Sequence, residues 1–364
     1  MRKIITSESV NCGHPDKTCD IIADSFLDCA LSQDKDCQMA VECAIKDNKL
    51  MIYGETTTTA QINYEEISKE VLKDIGYTQE FEIVKTLSQQ SPNIANAVKK
   101  DELCANDQGI MFGYACNENS FFMPYPIIIA HRLMKVYDEF RRKDNRYFAD
   151  AKSQVSVAYE DGKPVEIDTI LMSVSHEKGL DREVIVNDLK QNVICKVLKE
   201  FSELKSDNIK YVLNPSGEFY IWGSFSDSGC VGRKIIVDTY GGVGKVGGGC
   251  FSSKNATKVD RSGAYYARYV AKSVVANNLA DRCEVELSYA IGLTDPLSVE
   301  INTFGTNKIS EEEIKKIVMK NFNFSVSNMI KELDLLKPIY KNTACYGHFG
   351  RNEFPWEKVK TLNK

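Results

Sequence analysis

At 364 residues the chain exceeds one ordinary core, and two or three domains are expected. A formal net charge of −5, with 43% hydrophobic and 27% charged residues, excludes a surface that is basic all over, so affinity for anions must be local and neither nucleic acid nor membrane is expected as a partner. Twelve cysteines without a Cys-x-x-Cys, a start at Met1–Ile5 that is no secretory leader, and no apolar run of membrane length point to free thiols in a cytoplasmic setting.

Gly13-His14-Pro15-Asp16-Lys17 opens the first helical pattern. A proline just inside a helix start leaves amides that attract anions, and Ile22, Phe26, Cys29 and Ala30 give this helix an apolar face. Val41–Lys46 and Lys49–Thr56 read as strands around an Asp47-Asn48 turn. Gln90–Asn119, with Ser91-Pro92-Asn93 and Asn106-Asp107-Gln108-Gly109, reads as a mobile loop or a plain connector. Lys152–Tyr159 and Pro164–Val174 flank Asp161-Gly162, a strong hairpin signal, and Val186, Leu189, Val193, Val197 and Leu198 form a helical face after it. Lys234–Tyr240 reads as a strand that leads to Gly247-Gly248-Gly249, a glycine run hemmed by Arg233, Lys234, Lys245, Lys254 and Lys258. Ala267, Val270, Ala271, Val274 and Val275 mark a helix beginning near Arg261, ahead of a third hairpin, Cys283–Ala290 with Leu297–Thr303. Three hairpin-plus-helix units predict an internally triplicated α+β architecture.

Glycines let a backbone close around phosphate, and neighbouring cations supply charge. Asp16 makes sense beside an anion when a metal ion lies between them. The two segments together read as a site for a metal-bound polyphosphate. If Asp47-Asn48 is a two-residue turn, counting outward sets Glu42 opposite Tyr53 and Ala40 opposite Glu55. Glu42 and Glu55 then share a face about 7–8 Å apart, which suits either a wet outer surface or a cation or ammonium group between them. Asp150 and Lys152, two apart at a strand start, share a face in what is by itself a salt-bridge pattern. Gly242–Gly247 matches a dinucleotide fingerprint but runs into more glycine, serine and asparagine rather than a helix, and no Walker Gly-Lys-Ser/Thr occurs. His131, in an apolar helical stretch, reads as structural, and Tyr265-Tyr266 as packing.

From Thr6–Ser9 to Phe354–Glu357 the chain resembles the methionine adenosyltransferase, or S-adenosylmethionine synthetase, family. The matching runs are Gly13–Lys17, Asp107–Gly109 with Met111–Ala115, Asp150–Val155, Gly232–Gly242, Lys258–Ser262 and Tyr346–Arg351. The resemblance implies S-adenosylmethionine synthesis from L-methionine and ATP, releasing pyrophosphate and phosphate. It implies three similar α+β domains in a pseudo-threefold arrangement, with linear limits at residues 3–93, 104–221 and 223–358 but interleaved in space. It also implies magnesium (two per site), potassium (one per site), and a homodimer or dimer of dimers with shared active sites. By the same resemblance His14, Arg233, Lys234 and Lys254 are catalytic contacts to the polyphosphate. Asp150, Lys152, Phe219, Asp227 and Cys250 complete the ATP site, Phe219 as the adenine platform. Glu55, Gln90, Asp107, Asp227 and Lys258 meet methionine. Asp16 and Asp260 hold magnesium, Asp260 from across the dimer, and Glu42 holds potassium.

The chain departs from the family pattern at several points. Cys104-Ala105-Asn106 replaces Gly-Ala-Gly, Trp222-Gly223-Ser224 replaces Gly-Gly-Pro, and Asn11-Cys12 replaces Ser-Glu. Cys250 stands for alanine, and Ser252-Ser253-Lys254-Asn255 for Ser-Gly-Lys-Asp. None removes a charged group assigned above, so an active enzyme is expected rather than a non-catalytic partner subunit or a bare triphosphatase. Cys250, among cations and backbone amides, reads either as a reactive thiol of lowered pKa or as a small, inert buried filler.

Overall fold

The computed structural model describes residues 1–89 and 102–363. Its strands are β1 (Arg2–Val10), β2 (Gln38–Lys46), β3 (Lys49–Thr57), β4 (Glu82–Ser88), β5 (Gly109–Cys116), β6 (Tyr147–Glu160), β7 (Lys163–His176), β8 (Lys210–Leu213), β9 (Gly229–Cys230), β10 (Arg282–Tyr289) and β11 (Ser298–Asn302). Among the described residues they form three sheets, ordered β4-β3-β2-β9, β1-β6-β7-β8 and β11-β10-β5. Each is built on one of the expected hairpins. The first keeps the counted register, with Lys46 against Lys49, Glu42 against Tyr53 and Ala40 against Glu55. The second turns at Asp161 (φ 48°) and Gly162 (φ 80°), the left-handed pair that a tight hairpin needs. Each sheet also borrows a strand from elsewhere in the chain: β9 pairs with β2, β1 with β6, and β5 with β10. A cut by sequence therefore leaves no sheet whole.

One long helix backs each sheet: Pro15–Gln33 on β2, Tyr125–Arg141 on β6 and β1, and Val259–Ala276 on β5 and β10. Along β2 the pleat buries Met39, Val41, Cys43 and Ile45 in the core shared with Ile22 and Phe26, leaving Ala40, Glu42 and Ala44 half-exposed on the outer face. The C-terminal segment ties the three helices together. Tyr340 and Lys341 donate backbone N–H groups to Asp28, each at 2.9 Å. Gly347 lies so near His131 that a β-carbon would sit 2.4 Å from Nε2. Glu357, buried, takes Arg268 and Lys272.

Two expectations change. The Val186–Leu198 face is helical as expected, as Arg182–Leu189 and Cys195–Glu200 with a π turn, Lys190–Ile194, between them, but it packs on the helix Tyr125–Arg141 and is not the helix that backs the second hairpin. The backing helix comes ahead of the hairpin, at Tyr125–Arg141; its first two turns, Tyr125 to His131, are buried on every side, and only its second half carries an outer polar stripe, through Arg132, Lys135 and Glu139. Lys234–Tyr240 is not a strand either. Ile235–Asp238 is one helical turn, closed by Asp238 N–H on the Lys234 carbonyl. Its β-branched run favours a strand, but the buried Lys17 draws in the Asp238 carboxylate, and tertiary context overrides propensity.

Candidate active site

The first helix carries Asp16, Asp20, Asp24 and Asp28 at a spacing of four, so all four project from one face. Each holds backbone from the C-terminal half of the chain. Asp16 accepts the N–H of Cys230 at 3.0 Å, Asp20 that of Gly232 at 2.9 Å, and Asp24 that of Ser253 at 3.1 Å. Asp28 takes Tyr340 and Lys341, as above, and its burial pushes its pKa up to about 6. Asp24 also meets the buried Arg261 with two bonds of 2.7 Å. This stripe fixes two cation-bearing loops, one through Arg233 and Lys234, the other through Lys254. Apolar periodicity does not reveal this stripe; its signal in the sequence is the four-residue spacing of the aspartates.

At the first loop, His14 caps the helix. Its Nδ1 accepts the Asp16 N–H at 3.2 Å, which leaves the ring proton on Nε2. Burial, then Lys234, push its pKa down to about 3, so the ring is neutral. Asp16 Oδ2 takes Lys234 Nζ at 2.7 Å, with Arg233 3.5 Å from Oδ1. Burial alone would raise Asp16, but the bonds from Lys234 and Cys230 outweigh it and hold the carboxyl below its usual range. Lys152 and Asp227 lie near enough to act on both His14 and Asp150. Asp150 Oδ2 accepts Gly223 N–H at 3.0 Å, whereas its buried Oδ1 has no partner among the described residues. Burial lifts this carboxyl to about 6. Phe219 is half-exposed, its backbone tied to His176 by bonds of 2.9 and 3.1 Å. Ser224 uses an N–H that proline lacks, donating to Tyr77 Oη at 2.9 Å.

At the second loop, Lys254 forms an ion pair with Asp260 in the first turn of Val259–Ala276. Gly249 packs directly on that carboxylate, leaving no room for a β-carbon, which would lie 2.3 Å from it. Lys258, the N-cap residue, is held below the ordinary amine range by burial and then by Lys254, while Glu55, Asp107 and Asp260 act against them. Those five charges are therefore neighbours. Glu42 and Glu55 share the outer face of the first sheet, and Tyr53 Oη donates to Glu42 at 3.4 Å.

Other placements differ from expectation. Cys250 is half-exposed, but burial pushes its thiol up, with Lys254 only opposing this, so of its two readings the lowered pKa is corrected and the inert filler agrees with the structure. Lys245 pairs with Glu284 at 3.3 Å rather than with either aspartate. Gln90 lies outside the described residues. Asp16 and Asp260 occupy separate clusters that no ion pair joins among the described residues. No three His, Cys, Asp or Glu side chains there converge as a metal cage. Magnesium, however, keeps waters and substrate phosphates beside one or two carboxylates, and these hard oxygen donors fit that habit. Glu42, a half-buried carboxylate beside a phenol, suits potassium.

Three interleaved sheet-and-helix units, with lysine–aspartate pairs at two helix starts, define an α+β class of protein. Family models for the N-terminal, central and C-terminal domains of S-adenosylmethionine synthetase match residues 2–101, 102–219 and 221–358. The S-adenosylmethionine synthase of Mesoplasma florum is 48% identical over 379 residues, covering 100% of each chain. That of Mycoplasma mycoides is 46% identical, covering 99% of this chain and 96% of its own, and that of Clostridium tetani 45%, covering 100% and 99%. The chain belongs to the S-adenosylmethionine synthetase family, transferases of S-adenosylmethionine biosynthesis.

Proposed function

We propose that the chain joins L-methionine to ATP by direct attack of the thioether sulfur on ribose C5′, then hydrolyses the triphosphate to pyrophosphate and phosphate. The observation that carries this reading is the repeated pairing of a helix-start aspartate with a loop lysine, Asp16 with Lys234 and Asp260 with Lys254. A polyphosphate can take over such lysines while the carboxylates turn to metal.

The sulfur lone pair forms the S–C5′ bond as the C5′–O bond breaks, and the bond electrons pass to the triphosphate. No proton moves, so no general base is needed. Arg233, Lys234 and Lys254, with the Nε2–H of neutral His14, stabilise the leaving charge. The free Oδ1 of Asp150 supports a nucleoside contact there, beside Lys152 and Asp227, and Phe219 and Cys250 are assigned to the same ATP site. Glu55 and Asp107 suit the methionine ammonium and Lys258 its carboxylate, with Asp227 and Gln90 completing that end. Magnesium on Asp16 and Asp260 would neutralise phosphate oxygens, and potassium on Glu42 would add fixed positive charge. Holding sulfur, carbon and leaving oxygen in line supplies much of the remaining rate. In the second step water attacks phosphorus and one P–O–P bridge breaks.

The absence of an ion pair between the two clusters among the described residues leaves each open to a second chain, and a homodimer or dimer of dimers with shared active sites is proposed. No helix among the described residues is long and apolar enough to cross a membrane, and a cytoplasmic enzyme is proposed. Purified protein with ATP, methionine, magnesium and potassium should yield S-adenosylmethionine, pyrophosphate and phosphate in equal amounts. Phosphate release from triphosphate without a sulfonium product would overturn the assignment.

A further inference from the structure

A buried polar cluster with no role so far lies beside the methionine-side charges. Asn106 Nδ2 donates to Thr257 Oγ1 at 2.6 Å and to Gln38 Oε1 at 3.1 Å. Asn255 Nδ2 donates to the same two oxygens, at 2.8 and 3.2 Å, and Thr257 Oγ1 donates to Gln38 Oε1 at 2.8 Å. Asn255 also grips the start of β2, its Oδ1 accepting Met39 N–H at 3.1 Å and its own N–H meeting the Met39 carbonyl at 3.4 Å. Asn106, Asn255 and Thr257 are all buried. Each member adjoins a charge of the site. Asn106 precedes Asp107, Asn255 follows Lys254, Thr257 precedes Lys258, and Gln38 begins the strand that carries Glu42 and pairs with the strand of Glu55.

We infer that Asn106 and Asn255 are positioning residues that act as one unit, holding Asp107 in register with Lys258 and Glu55 and thereby shaping the methionine end of the site. This rests on the proposed assignment of Asp107 and Lys258 to methionine. The coupling follows from donor and acceptor inventory. Two amides converge on one glutamine oxygen, so both fix which way the Gln38 amide faces. An aspartate at 255 is acceptor-only and demands that Gln38 turn its Nε2 inward; Asn106 Nδ2 then faces another donor. Glycine at 106 removes that conflict. Positions 106 and 255, where the family pattern has glycine and aspartate, are thus a single departure rather than two.

The test compares Asn106→Gly, Asn255→Asp and the double variant of the full-length enzyme. Asn106→Gly should raise the KM for methionine about 5- to 10-fold, the worth of one buried hydrogen bond, and the KM for ATP less than about 2-fold. Asn255→Asp alone should raise the methionine KM about 10- to 30-fold, because it leaves a buried donor unmatched. The double variant should fall back to about the level of Asn106→Gly alone, a strong departure from additivity. Thr257→Val, which removes the shared hydroxyl, should also raise the methionine KM and keeps the test open if an asparagine variant folds poorly. Multiplicative losses in the double variant, an unmoved methionine KM, or equal rises in both KM values would overturn the inference. If the wild-type protein makes no S-adenosylmethionine, the functional reading fails and this one falls with it; if it does and the single effects multiply, this one alone fails.

Discussion

The starts of Pro15–Gln33 and Val259–Ala276 carry the same charges in different settings. Each has an aspartate at its second position and a loop lysine paired with it. At the first, a histidine side chain caps the helix, and Asp16, 1% exposed, is locked between Cys230 N–H and Lys234. At the second, the N-cap is Lys258, with no side-chain cap bond among the described residues, and the Asp260 side chain is 23% exposed. The first start is finished by the fold; the second keeps unclaimed amides and an accessible acid. On the proposed function, the difference separates a preorganised anion site from one left to be completed by ligand or a second chain.

The largest way to break this comparison is to neutralise the acids one at a time. Asp16→Asn should lower S-adenosylmethionine synthesis about a thousandfold with the fold intact by circular dichroism, since fixed, preorganised charge is lost. Asp260→Asn should cost about 10- to 100-fold, because solvent already screens that carboxylate. The reverse order would mean that the second start is the preorganised one. Next in size, Asp24→Asn strands the fully buried Arg261 guanidinium and should cost about 3 kcal/mol in urea unfolding. A loss below about 1 kcal/mol would show that the aspartate stripe is not what holds the second loop.

The three hairpins were legible because alternation and turn chemistry are local: Asp161-Gly162 needs no partner to declare itself. The register of Glu42 and Glu55 followed by counting. What could not be read were the strand exchanges, β1 to β6 and β5 to β10, which depend on contacts more than a hundred residues apart. The helix at Tyr125–Arg141 escaped as a backing element because its first two turns are buried on every side and only its second half, from Arg132 to Glu139, shows a period. Ile235–Asp238 misled because Lys17, far away in sequence, decides its conformation. At the site, resemblance supplied the cations and acids, but the stripe that positions them and the neutral state of His14 required the structure. Cys250 reads in sequence as a cysteine among lysines; only burial shows its thiol pushed up rather than down.

The two starts should also answer to pH in different windows. His14 has a native pKa pushed down to about 3 against an ordinary 6.5. As pH falls below 6.5 the unfolded chain binds a proton that the native ring refuses, so stability present above 6.5 is lost progressively towards pH 3. Between pH 7 and 5 the wild type should lose about 2 kcal/mol relative to His14→Asn, which keeps a capping side chain but does not titrate. Lys258 is lowered from 10.5, so its cost is already present at neutral pH and is recovered as pH rises towards that value. Wild type and Lys258→Met should therefore converge in stability at alkaline pH. Parallel unfolding curves for wild type and His14→Asn from pH 7 to 5 would show that His14 charges freely in the native protein.

The smallest effect is the sharpest comparison of the two loops. Gly232 donates its N–H to Asp20 and Ser253 donates its N–H to Asp24, and both have φ of 76°. Glycine adopts that left-handed conformation freely, whereas a residue with a β-carbon is strained there by about 1–2 kcal/mol. Ser253 is also buried, and its Oγ has no partner among the described residues. Ser253→Gly removes the strain and the unmatched hydroxyl, and gives back part of the gain through a more flexible unfolded chain. The net expectation is a stabilisation of about 1 kcal/mol in urea unfolding at unchanged m-value. Gly232→Ser should do the opposite and more, because a β-carbon there would lie 2.4 Å from that of Cys250. Destabilisation by Ser253→Gly would show that the serine hydroxyl holds the Lys254 turn in place, and the two loops would then differ in kind rather than in strain.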